Sequence, residues 1–149
     1  MLDSYRDLID GLLETPTTLR DVLGDPAPDD LTPDVLILLT ELRARETAML
    51  RRTQAIMRQK RPTLRAIEQE SEVVAAHAGT IAEASPVELL AAFNNDRSEV
   101  VSLLMNVTIS DWERKVDHHV TGETTLSDEI DAHLTWDEDV VERIHAAME

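Results

Sequence analysis

Glu129, His133 and Asp137 recur every four residues in the C-terminal part of the chain. That spacing places all three on one stripe of an α-helix. A histidine and a carboxylate one turn apart can share a metal ion, since imidazole nitrogen and carboxylate oxygen are both ordinary zinc ligands. The neighbouring pair His118–His119 offers two further imidazoles. Adjacent residues rarely converge on one ion, however, so the pair needs another ligand, and loop anchoring by hydrogen bonds is the plainer use of His118. His77 and His145 stand alone and receive no role. There are no cysteines, which removes thiolate ligands, disulfides and a cysteine nucleophile. No serine sits in a nucleophile elbow, and there is no glycine-rich phosphate loop.

The elements that must carry these residues read as helices. Only 4 glycines, no long alternating β-branched runs and repeated 3–4 spacing of apolar residues predict an all-α chain. The expected long helices lie near residues 4–23, 33–60, 86–105 and 125–147. Thr15-Pro16 reads as a break or restart within the first. Thr32-Pro33 caps and opens the second, and Arg61-Pro62 ends it. Ser85-Pro86-Val87-Glu88 has the form of a capping box opening the third, and Thr125 or Ser127 caps the last. Residues 63–84 form one long connection, with a short helix expected over 73–84. Short links and one long one fit a single domain, residues 1–149, built as a four-helix up-down bundle with one crossover.

The stretch Arg114–Ile144 resembles the last third of the DinB-like four-helix proteins, a superfamily of metal-dependent enzymes. Their pattern there is roughly R-x-x-x-H-x-x-x-G, then T-L, then a helix ending H-D-x-x-H-hydrophobic-x-x-I. Arg114, His118, Gly122, Thr125, Leu126, Asp137, Val141 and Ile144 fall in step with it. Three further blocks agree in order. Glu41-Leu42-Arg43-Ala44-Arg45-Glu46 resembles H-L-R-D-x-E, Arg61-Pro62-Thr63-Leu64 resembles N-P-x-L, and Ala92–Arg97 resembles F-x-x-x-R. A fourth, Asp111-Trp112-Glu113-Arg114, resembles W-x-R.

The resemblance implies a DinB-like bundle and maps the family's metal triad onto Glu41, Trp136 and Val140. Glutamate can ligate a metal, but an indole and an isopropyl group cannot, so the inherited site is expected to be lost. Trp136 either fills the space a metal would leave or lines an open apolar pocket. The expected function is non-catalytic: a binding or interaction protein without a cofactor, its small-molecule ligand unspecified. The alternative is a metal-dependent hydrolase or low-molecular-weight-thiol transferase. It would use zinc or nickel on relocated ligands drawn from Glu41, His118, His133 and Asp137.

Charge narrows the partners. A net charge of −16 disfavours nucleic acid. The charge is uneven: residues 43–65 carry 8 basic and 1 acidic side chains, while residues 66–149 carry 4 basic and 19 acidic. The basic block is expected to meet acidic surface near 123–142, within one chain or across a homodimer. The absence of an 18-residue apolar run excludes a membrane helix. An acidic start without an apolar run before a small-residue site is not a signal peptide, which suits the cytoplasm.

Overall fold

The computed structural model describes residues 3–77 and 84–149, with the side chains of 74, 76 and 77 left aside. It is mostly helical. The four long helices are α1 (Asp3–Leu23), α2 (Pro33–Arg58), α4 (Pro86–Met105) and α6 (Leu126–Met148). Two short ones, α3 (Ile67–His77) and α5 (Ile109–Glu113), sit in the connections. The long helices start and stop close to the sequence expectations. α3 begins earlier than the short helix expected over 73–84, and residues 78–83 of that expectation lie outside the described residues. Among the described residues, no helix is long and apolar enough to cross a membrane.

Each long helix after the first owes its start to a local cap. The Thr32 and Ser85 hydroxyls accept from the N–H groups of Val35 and Glu88, with proline at the first turn of both helices. Thr125 accepts from the Asp128 N–H. These bonds satisfy amides that the helix itself leaves without partners. α1 ends at Gly24, whose φ of 95° is the left-handed conformation that glycine accepts without a steric penalty.

Two departures from the sequence expectation have physical causes. First, Pro16 does not break α1, which runs unbroken through it. Proline has no N–H to give the carbonyl four residues back. That carbonyl, of Leu12, takes a bond from Arg97 Nη1 at 2.8 Å instead. Second, the chain is not purely helical. β1 (Thr63–Leu64) pairs in parallel with β2 (Lys115–His118), and β2 pairs antiparallel with β3 (Gly122–Thr125). These strands are too short to show alternation, which is why periodicity passed over them. Bonds from Arg61 to both Asp117 carboxylate oxygens reinforce the pairing.

The core is in two parts. One contains Leu12, Ala48, Met49, Val100, Leu104, Trp112, Leu126 and Ile130. The other contains Leu19, Leu23, Leu39, Leu42, Phe93, Val140 and Ile144. α1 and α6 run from the first part to the second, while α2 and α4 run from the second to the first. The order of senses is therefore up, down, down, up. The alternation breaks at the long connection between α2 and α4. Between the two parts, each long helix contributes buried polar side chains: Thr15, Arg45 and Glu46, Arg97, and His133 with Asp137.

Three of the basic block's eight side chains are paired within the described residues. Arg45 meets Glu68, Arg52 meets Glu70 and Glu129, and Arg61 meets Asp117 and Glu123. Arg45 and Arg52 are buried, so this is not the fully solvated face that charge runs usually form.

Candidate functional site

The polar layer centres on Arg97. Its guanidinium holds Glu46 by two parallel bonds, Nε to Oε2 and Nη2 to Oε1, both 2.7 Å. Nη2 also donates to Asp137 Oδ2 at 2.5 Å. With the Leu12 carbonyl on Nη1, the rigid fork of arginine is almost fully used. His133 Nε2 lies 2.7 Å from Glu46 Oε1, and Arg45 Nε faces His133 Nδ1 at 3.4 Å. The two contacts agree if the ring proton sits on Nε2, which then donates to Glu46 while Nδ1 accepts from Arg45. The Thr15 hydroxyl is 3.4 Å from Asp137 Oδ2. α1 comes this close to α6 near Gly11, where a Cβ would stand 2.5 Å from Leu134 Cδ2.

Electrostatics lock the pairing. Burial disfavours the charged form of Glu46, but His133 and Arg97 outweigh it and hold the carboxyl at about 2. Burial likewise opposes the charge on Arg97, and Glu46 and Asp137 more than offset it, raising its pKa. Arg45 is different: burial lowers its pKa, countered in part by Glu68.

Glu46, His133 and Asp137 each offer one ligand atom, all within 4.8 Å of one another. By residue type this is a donor set suited to a divalent ion. Its geometry does not fit one. Arg97 Nη2 is 2.7 Å from Glu46 Oε1, 2.5 Å from Asp137 Oδ2 and 3.4 Å from His133 Nε2. A guanidinium nitrogen thus stands among the three donors, and an ion needing contacts of about 2.0–2.2 Å cannot share that point with it. One loose end remains: Asp137 Oδ1 is buried without a hydrogen-bond partner among the described residues, 3.9 Å from His133 Nε2. The members are also sealed from solvent, with Glu46 and Asp137 at 0% and Arg97 and His133 at 1% exposure.

The structure joins two of the expected relocated ligands, His133 and Asp137, and supplies Glu46 as their companion. Glu41 is exposed on α2 and lines a surface groove with Arg143. His118 is on β2, where Nδ1 accepts from the N–H groups of Val120 and Thr121 and so anchors the turn. Glu129 is engaged with Arg52 at 2.9 Å. The His133 ring is fully enclosed, because α6 turns it toward Glu46. Val140 lies in the second part of the core.

Trp136 stands outside the Glu46–His133–Asp137 set. It is half-buried, near-parallel to the His133 ring at 6.3 Å, with the Arg45 guanidinium 4.4 Å from its ring centre. Trp136→Ala should therefore cost only about 1–2 kcal/mol, from a partly exposed cation–π contact and modest area. Urea unfolding measures it. A loss of about 4 kcal/mol or more, the cost of truncating a fully buried aromatic, would refute this placement.

Sequence reasoning gave Glu46 and Arg97 no role, although both close motif blocks. The available signal was periodicity: Arg97 continues the apolar stripe of Phe93, Val100 and Leu104, and Glu46 that of Leu42, Met49 and Thr53. A charge at such a position must be paired inside the protein. Comparison of the chain with protein-family models, with curated proteins and with solved structures finds no match.

Proposed function

We propose that the chain is a DinB-like four-helix bundle with one long crossover that has exchanged metal chemistry for a structural ion-pair layer. It acts as a non-catalytic binding or interaction protein. The observation supporting this is Arg97 Nη2 among the three donor atoms of Glu46, His133 and Asp137. A cation supplied by the chain satisfies the carboxylates, and the closed layer leaves a substrate no path to them. Titration calorimetry should find no site-specific Zn²⁺ or Ni²⁺ binding at micromolar concentration. Tight one-to-one binding that disappears in His133→Ala would overturn the proposal.

One observation favours a second reading. The unpartnered Asp137 Oδ1 beside a carboxylate–imidazole set suits a metal-dependent hydrolase or thiol transferase, provided Arg97 swings away. The same titration separates the two.

The protein is further proposed to be cytoplasmic and to form a homodimer. Arg52 and Arg61 spend their charge on Glu129 and Glu123 within the chain, so those pairs do not form the dimer contact. Sedimentation equilibrium at moderate salt should show a dimer. A monomer across micromolar concentrations rejects the dimer.

A further inference from the structure

The cleft between α2, β1 and α3 lies apart from the buried layer and has a different character. Its volume is about 380 Å³, toward the small end of the range for ligand sites. Ala48, Ala55, Pro62 and Leu64 give it an apolar floor, Val73 stands exposed at its edge, and Arg51, Arg52 and Arg65 stand around it. Arg52 is fixed by Glu129, by Glu70 and by a bond to the Arg65 carbonyl. That last bond also fixes the backbone from which the Arg65 side chain springs. Arg51 and Arg65 are exposed and form no ion pair among the described residues.

In a chain of net charge −16, two uncommitted guanidinium groups over an apolar floor are a local exception. Screening over about 8 Å at physiological salt lets such a local field act on a ligand despite the distant negative charge. Guanidinium binds carboxylate through paired N–H bonds. Glu70 on the same rim opposes a second negative charge.

We propose that this cleft binds a small aliphatic carboxylate, with Arg51 and Arg65 holding the carboxylate and the floor taking the hydrocarbon chain. The site shares no residue with the Glu46–Arg97 layer, so its failure would leave the reading of that layer untouched. The test is an amide NMR titration of the full chain with hexanoate, hexanol and inorganic phosphate. Hexanoate should give saturable shifts confined to Ala48–Ala55, Thr63–Arg65 and Gln69. Hexanol, lacking the charge, and phosphate, lacking the chain, should each bind at least about tenfold more weakly. The double variant Arg51→Gln/Arg65→Gln should lose about tenfold or more in hexanoate affinity while melting like the parent, since both side chains are exposed. No saturable shift with hexanoate overturns the proposal. So does equal binding of hexanol or phosphate, or undiminished hexanoate affinity in the double variant.

Discussion

Arg97→Ala should lose about 3–5 kcal/mol of stability at pH 7, the usual cost of leaving buried charge without its partner. The substitution strips Glu46 of two bonds and Asp137 of one, and frees the Leu12 carbonyl that Pro16 cannot satisfy. For a chain of this length the loss is about 10 °C in melting temperature. The pH dependence adds a second signature. In the parent, Glu46 is held at about 2 against an ordinary 4.5. Its contribution is therefore present above about pH 4.5 and is lost as pH falls toward 2, amounting to about 3 kcal/mol. Without Arg97 only His133 is left to oppose burial, so the carboxyl pKa rises and the contribution of Glu46 above about pH 4.5 shrinks. Urea unfolding at pH 4 and pH 7 should show the gap between parent and variant widening with pH. A constant gap would mean that the ion pair is not the source. Zn²⁺ should raise the melting temperature of Arg97→Ala and not of the parent, because the three donors are then vacated. Arg97→Ala/His133→Ala should not respond.

Trp112→Ala should cost a similar amount, about 3–5 kcal/mol, for a different reason. The indole is wholly enclosed in the first part of the core and stacks on Tyr5 at 5.0 Å and 9°. It is held there by α5, a five-residue helix that owes its existence to the reciprocal cap between Thr108 and Asp111. Truncation leaves a cavity under a helix too short to collapse into it. Trp112→Phe should cost less than half as much, since it keeps most of the ring and removes an indole N–H that has no partner. Unfolding followed by far-ultraviolet circular dichroism measures both, and equal costs for the two variants would contradict the cavity argument.

The four long helices were legible because their signals are local. Thr32-Pro33, Ser85-Pro86 and Thr125 mark starts, and the 3–4 spacing marks the faces. The sheet was not legible, because two- and four-residue strands have no period to detect. Pro16 misled for the same reason that caps informed. The local rule asks where the Leu12 carbonyl finds a partner, and the answer comes from Arg97, 85 residues away. The candidate site was half legible: the four-residue spacing of His133 and Asp137 put them on one stripe. Their partners on α2 and α4 are set by tertiary packing, which no single helix records.

The polar layer also settles how the helices sit along one another. The apolar residues above and below it are near-equivalent hydrocarbon, and a slip of one turn would exchange one such contact for another. A slip of one turn in α6 moves its side chains about 5.4 Å. That would carry one of His133 and Asp137 out of the layer into hydrocarbon and bring Ile130 or Val140 into its place. Each misalignment breaks a buried charge pair, so it is rejected by several kcal/mol where an all-apolar core would reject it weakly. The layer is thus a vernier for the fold, admitting one longitudinal setting of four otherwise greasy rods.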